Sequence, residues 1–585
     1  MFEQEKATIE TRIKAYLLTE GIDNPSLEFR QIPFSGEWGM AVPLFPVAAG
    51  EARSGKKVIV PQRAQELAEG IKIFLGEPPA GFSHVEAIKG YLNLYFSTAE
   101  YARRVVDTVL DEDGDFGRGA DKHETLMVEY SQPNTHKSFH VGHLRNVILG
   151  GSVCRILEFA GYEVIRANYL GDIGLHVVKW MWNYLKNHHG EQPGANKTHW
   201  MNDIYAEADR LFQEPENEAE VRALYARWNA HDPEIIALWK QTREWSLEGF
   251  EEIYDLLGEH FDRIYFESEV EEAGTAFVEG LIAKGIAQDG RPDEPVIIDL
   301  DAILGTDDEY RVLVVLRSDS SSLYATKDLH LAIQKFKEYD LDRSIYVIDV
   351  RQSLYLRQIF KTLEILGYKW ADKLYHLAYE LVNLPGNVTM ASREGTVVLF
   401  DDLMKEATSR AKTIVEQKNP ELNELVKDSI AEDVALGALK YTMLSRDNTK
   451  VVTFDWDAAL DFNGQAAPYI QYAHVRAGSI LRKAGVEEPV PVDFPAQLEK
   501  AEVDLIELMT RLPVEVQRAA EEYRPLVIAN LAFDLARTFN DFYNTCQVLN
   551  AEPKVRDYRL RLVAAARQVI ATSLALLGIG APSMM

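Results

Sequence analysis

Two histidines flank a glycine in His140-Val141-Gly142-His143, where an apolar, β-prone run gives way to helical spacing. Residues 125–131 carry Leu126, Met127, Val128 and Tyr130, and Pro133-Asn134 ends that run. From His143 onward Leu144, Val147, Ile148, Ile156 and Leu157 fall near one face until Gly161, which predicts a helix. A second strand is predicted over 163–170. Such a βαβ unit presents free N–H groups and the positive end of a helix dipole, where a phosphate can be held. Imidazole N–H groups aimed at a phosphoryl group under attack stabilise the charge that builds there. Gly142, with no side chain, lets a nucleotide lie against the backbone. The tetrapeptide by itself also fits a chance pair of histidines at a helix cap.

The rest of the chain must position that junction. At 585 residues and 46% apolar content it can hold several domains with ordinary cores. No internal repeat or low-complexity tract is visible. The acidic opening residues suit neither a signal nor a transit peptide, and no apolar run approaches the length of a membrane span. The two cysteines, Cys154 and Cys546, lie far apart in helical patterns; this fits a reducing compartment and offers no cysteine-based zinc site. A cytoplasmic protein is expected. A net charge of −29 speaks against nucleic acid as a partner. Against that stand two basic clusters, Arg476 with Arg482 and Lys483, and Lys554 with Arg556, Arg559 and Arg561, which otherwise read as solvated helix faces.

Three regions follow. Residues 1–115 mix a leading helix, short strands and a helix over 99–110, and a charged, Gly-rich linker over 111–119 closes them. Residues 116–450 alternate strands and helices, as a doubly wound parallel sheet requires, with strand-like runs at 296–300, 312–316, 344–350 and 374–381. A polar, helix-rich insertion occupies about 180–270. Its His188-His189 pair has no carboxylate or cysteine companion at ligand spacing and reads as a solvated loop. Residues 451–585 are all helical, with apolar stripes through Ile528, Leu531, Leu535 and Phe539 and through Leu562, Val569 and Leu574.

The first signature of class I aminoacyl-tRNA synthetases resembles His140-Val141-Gly142-His143. The longer string Ser131-Gln132-Pro133-Asn134, Lys137, His140 to Arg145 resembles arginyl-tRNA synthetases in particular. The resemblance runs almost to the last residue. It implies a Rossmann-type catalytic domain, a small α+β N-terminal domain that touches tRNA, and an all-α anticodon-binding bundle. It implies L-arginine, ATP with Mg²⁺ and arginine tRNA as substrates and partners, no zinc, no membrane, and a monomer whose activation of arginine requires tRNA.

Residue by residue, the resemblance places His140, Gly142 and His143 on ATP. Met390-Ala391-Ser392-Arg393 is similar to the second signature, a loop that clamps the ATP phosphates. Here Ser392 stands where the family's lysine would be; Lys137, upstream of the first signature, is then the expected substitute, and Arg393 the cation left in the loop. For the amino acid, a guanidinium asks for planar acceptors, and Glu129 and Asp328 are the candidates. Asn134 and Gln352 would hold the amino-acid backbone, with Tyr324 beside the side chain. Asp328 also fits a cap for a helix over 329–336. Asp172, in the Gly171-Asp172-Ile173-Gly174 loop before His176, would bind the substrate amino group or a hydroxyl, or simply form a turn. A strand is expected over 396–400. Asn93, Tyr469, Gln471, His474, Arg476 and Met585 are the implied tRNA contacts, in segments where aromatic and basic residues interleave.

Three other readings compete with this one. The cysteinyl member of the class would need zinc-binding cysteines. An inactive RNA-binding relative would explain Ser392, and a nucleotidyltransferase without tRNA would leave the helical C-terminal region without a purpose.

Overall fold

Parallel strands need both faces covered, and the run from Thr125 shows how this chain does it. In the computed structural model, which describes residues 3–34, 36–384, 388, 389 and 398–585, the strand Thr125–Glu129 leads into the helix Val141–Phe159 and the strand Glu163–Leu170. The chain forms two compact units. One comprises Met1–Phe116, Ala473–Leu512 and Asp534–Ala571; the other comprises Gly117–Tyr472, Pro513–Phe533 and Thr572–Met585.

The second unit is built on a five-stranded sheet in the order Leu374–Tyr379, Arg343–Asp349, Thr125–Glu129, Glu163–Leu170, Arg263–Phe266. Every neighbouring pair is parallel. The chain runs outward from Thr125–Glu129 on one side and later fills the other, so the order reverses between Thr125–Glu129 and Arg343–Asp349. A crevice opens at the carboxyl ends of strands at such a switch point. The predicted strands at 296–300 and 312–316 do not join this sheet. They form a separate antiparallel pair, Val296–Asp299 with Val312–Leu316. Their inward residues Val296, Ile298, Leu313 and Val315 share a core with Leu329 and Ile333 of the helix Tyr324–Glu338. That helix begins five residues earlier than the sequence suggested, so Asp328 lies within it and is not its cap.

The insertion is a set of helices, Leu175–Asn187, Lys197–Leu211, Pro215–Asn229 and Pro233–Leu257, around Trp180, Met201, Val221 and Trp245. His188 is not simply solvated. It lies between Glu191, only three residues on, and Glu207, at 3.0 and 2.6 Å, so a carboxylate companion was within short spacing after all. The predicted strand at 396–400 also changes. Residues 396 and 397 lie outside the described residues, Leu399 makes one bridge to His140, and Phe400 opens the helix Phe400–Lys418.

The first unit contains a four-stranded antiparallel sheet in which Tyr91–Phe96 is central, paired with Gly39–Pro43 and Phe82–Ile88. Asn93 is partly exposed on that strand. In this unit the second basic cluster is partly consumed by internal pairing: Arg559 binds the buried Glu502, and Arg561, itself buried, binds Asp107. From Phe400 to Leu576 every regular element is a helix except the strand Val452–Thr453. Among the described residues no helix is long and apolar enough to cross a membrane.

Candidate active site

The turn between the strand Thr125–Glu129 and its helix is held against its backbone preferences. Ser131, Gln132 and His136 all have left-handed φ values, 77°, 53° and 63°, a conformation that costs a non-glycine residue about 1 kcal/mol or more. The surrounding side chains fix it. Asn146 accepts from the Ser131 N–H at 2.6 Å, Asn168 from the Gln132 N–H at 3.0 Å, and Ser246 from the His136 N–H at 2.9 Å. The Ser131 and Tyr254 hydroxyls are 2.7 Å apart. Arg145 is buried and donates to the carbonyls of Glu380 and Met443 at 2.8 and 2.9 Å, so it ties the helix to the rest of the unit.

At the end of that turn the two histidines cap the helix reciprocally. Nδ1 of His140 accepts from the Gly142 and His143 N–H groups at 3.1 and 3.4 Å, and Nδ1 of His143 accepts from the His140 N–H at 3.3 Å. The rings stack with centroids 3.8 Å apart and planes 11° from parallel. Burial holds His140 down to about 4 and His143 well below its ordinary value, so both are neutral at pH 7. A neutral imidazole that accepts at Nδ1 carries its proton on Nε2. Both rings therefore present Nε2–H donors on a helix N-terminus.

Lys137 lies one turn upstream. Its Nζ sits 5.5 Å from the centroid of Tyr205, a residue of the insertion, and burial lowers its basicity. No carboxylate forms an ion pair with it among the described residues. His176 is close enough for Lys137 to help burial hold it near 3. Asp172 is fully buried and already committed: Arg243 binds it at 2.9 Å, and Ser268 donates to it through its N–H and hydroxyl at 2.9 and 2.7 Å. It shapes the loop, and its carboxylate is not available to a substrate amino group.

At the switch point opens a cavity of about 470 Å³. Glu129, Asn134, Tyr324, Asp328 and Gln352, gathered from four separate segments, all line it. Gly171 lines it too, and a Cβ there would fall 2.1 Å from Oδ1 of Asn134, so only glycine allows that approach. Tyr324 stands exposed at its rim. Three carboxylates converge: Glu129 is paired with the buried Lys335, Glu267 with Lys327 at 2.6 Å, and Asp328 receives the hydroxyl of Tyr355. Among the described residues Asp328 has no ion-pair partner. Burial, with Glu129 and Glu267 nearby, pushes its carboxyl up to about 7.

Sequence reasoning missed Glu267, Tyr355 and Arg351, which also line this wall, and the buried Lys335, which pairs with Glu129 behind it. One signal was available. Tyr324, Asp328, Leu331 and Lys335 recur at helical spacing on one face, and polar residues on an otherwise core-facing stripe ask for partners.

The remaining candidates are placed elsewhere. Met390, Ser392 and Arg393 lie outside the described residues, while the backbone of 398–400 pairs with that of 139–141. Gln471 has no exposed surface: its amide donates to the carbonyls of Gly580 and Asp433 at 3.0 and 3.3 Å, which makes it a fastening for the C-terminal tail and removes it from an RNA-facing surface. Tyr469 packs on Phe533. In the first unit His474 is buried and accepts from Arg567 at 3.3 Å, and Arg476 stacks on Tyr543 and donates to Asn540. Met585 is partly exposed.

A parallel nucleotide-binding sheet whose first helix opens on paired Nε2–H donors is the catalytic architecture of a class I aminoacyl-tRNA synthetase. Comparison with known proteins agrees: residues 105–456 match the family described as tRNA synthetases class I (R), catalytic domain, and residues 470–585 match the DALR anticodon binding domain. The arginine–tRNA ligase of Bacteroides thetaiotaomicron is 35% identical over 90% of both chains, and that of Treponema pallidum is 34% identical over 95% of this chain and 94% of its own. The solved arginyl-tRNA synthetase of Thermus thermophilus superposes with a TM-score of 0.74 at 28% identity, covering 99% of this chain and 100% of its own. The chain belongs to the arginyl-tRNA synthetase family.

Proposed function

We propose that this chain works as an arginine–tRNA ligase through the cavity at the switch point, with the unpaired carboxylate of Asp328 as the counter-charge for the substrate guanidinium. That carboxylate is the observation that carries the reading. A buried carboxyl without a cation is costly, and a guanidinium supplies both the charge and the donors that Asp328 lacks. Glu129 offers a second acceptor, Asn134 and Gln352 face the amino-acid backbone, and Tyr324 covers the side chain from the rim.

A carboxylate oxygen of L-arginine attacks the α-phosphorus of ATP; the bond to the bridging oxygen breaks and diphosphate leaves. The Nε2–H groups of His140 and His143 stabilise the phosphoryl oxygens as charge develops on them. Gly142 allows the nucleotide to lie close, and Lys137 and Arg393 neutralise the leaving diphosphate, with Met390 and Ser392 of the second loop as further ATP contacts. The 3′-terminal hydroxyl of arginine tRNA then attacks the carbonyl of the adenylate, and AMP departs. Mg²⁺ arrives with ATP as part of the substrate.

Asn93 in the 1–115 region, and Tyr469, His474, Arg476 and Met585 in the 451–585 region, are the proposed tRNA contacts around a 116–450 catalytic region. Activation of arginine waits for the tRNA, and the enzyme acts as a cytoplasmic monomer. Arginine-dependent ATP–diphosphate exchange, measured with and without arginine tRNA, tests this. Exchange that appears only with the tRNA is expected. Its absence in both cases, with tRNA still bound, would make the chain a binding protein.

A further inference from the structure

Lys335 is a lysine with no exposed surface, eleven residues into the helix that carries Asp328. Seven residues separate the two, about two helical turns, so they share a face. The Lys335 ammonium donates to Oε2 of Glu129 and lies 4.1 Å from the ring of Tyr346. Tyr346 is itself the register partner of Glu129 on the adjoining strand. On its other side Glu129 accepts at Oε1 from Gln132 at 2.8 Å. A carboxylate gripped at both oxygens cannot turn, and one paired with a buried ammonium carries little net charge into the cavity.

The same arithmetic holds across the wall. Glu129 and Glu267 each have a lysine, Lys335 and Lys327, and Asp328 has none. Arg351, also on this wall, is paired with Asp349 at 2.8 Å; the other three carboxylates against two ammonium groups leave one negative charge, which suits a substrate side chain bearing one positive charge. Flexible, freely charged acceptors would accept an ammonium as readily as a guanidinium; a planar acceptor held at fixed orientation favours the planar fork.

We infer that Lys335 is a positioning residue for arginine recognition: it locks the Glu129 carboxylate edge and cancels its charge, so that Asp328 alone balances the guanidinium while Glu129 reads its shape. This rests on the assignment of the cavity to arginine. Lys335 touches no substrate and acts through Glu129.

The test uses the full chain with arginine tRNA and compares kcat and KM for arginine in aminoacylation. Lys335→Met leaves Glu129 buried without its cation and is expected to raise the KM for arginine about tenfold or more while kcat stays within roughly threefold. Because Lys335 acts only through Glu129, the double variant Lys335→Met with Glu129→Gln is expected to show the same KM as Glu129→Gln alone. Losses that add in the double variant would overturn the inference, because Lys335 would then act other than through Glu129. So would an unchanged KM in Lys335→Met. Asp328→Asn separates the two levels: a raised KM there alongside an unaffected Lys335→Met defeats only the role of Lys335, whereas an unaffected Asp328→Asn defeats the arginine cavity and the inference together.

Discussion

The phenol of Tyr355 donates to the carboxylate of Asp328, and no cation forms an ion pair with that carboxylate among the described residues. Burial raises the Asp328 carboxyl from 3.8 to about 7, so the folded chain binds a proton there that the unfolded chain has lost. That contribution to stability is complete below about pH 4 and disappears as the pH rises through 7. Arginine binding runs the other way, because the guanidinium needs the ionised form. Affinity for arginine is expected to strengthen about tenfold between pH 6 and pH 8, with a proton released on binding near pH 7. Calorimetry in buffers of different ionisation enthalpy measures both, and a flat profile would exclude Asp328 as the counter-charge.

The stacked, neutral histidines lead to a different pH expectation. His140 is held near 4 and His143 lower still, so neither should produce an ionisation in the rate between pH 5.5 and 8. Replacing either by alanine removes an Nε2–H donor and is expected to reduce kcat about 10²-fold or more, with a small change in KM for arginine. His140→Ala also deletes the helix cap and should cost about 1 kcal/mol of stability, read from denaturant midpoints.

If Lys137 stands in for the lysine missing from the second loop, it should carry more of the phosphate binding than Ser392. Lys137→Ala is expected to reduce ATP–diphosphate exchange about 10²-fold, while Ser392→Ala stays within about threefold. Tyr205→Leu, which removes the ring under Lys137, should fall between them. Equal rates for Lys137→Ala and Ser392→Ala would end the argument that the upstream lysine substitutes for the one missing from the loop.

The C-terminal tail is fastened by a buried lysine. Lys440 donates to the carbonyls of Leu257 and Gly578, and burial lowers it to about 8. A lysine depressed in the fold contributes its full share above its unfolded value near 10.5 and loses it as the pH falls through 8. Stability should therefore climb between pH 8 and 10 in the parent chain and stay flatter in Lys440→Met, as followed by urea unfolding at each pH.

Much of the fold was legible because its signals are local. Thr125–Glu129, Val141–Phe159 and Glu163–Leu170 follow from apolar runs, a proline and a change of period. The histidine cap was legible as a place, since a strand, a turn and a helix N-terminus are read within twenty residues. Its tautomers were not, because they depend on which backbone N–H meets Nδ1.

Pairing across long separations was beyond local patterning. Val296–Asp299 and Val312–Leu316 read as members of the main sheet because alternation does not say which strand lies alongside. Asp172 and Gln471 looked available because a polar residue in a loop or a helix end usually is; Arg243, Ser268 and the carbonyls of Asp433 and Gly580 come from distant segments to claim them. What the sequence determined by itself was the βαβ junction and the residue types that chemistry there requires. The tertiary structure alone decided which carboxylate of the cavity is left unpaired: Lys335 meets Glu129 across 206 residues and Lys327 meets Glu267 across 60, while Asp328 on the same wall has no ion pair among the described residues.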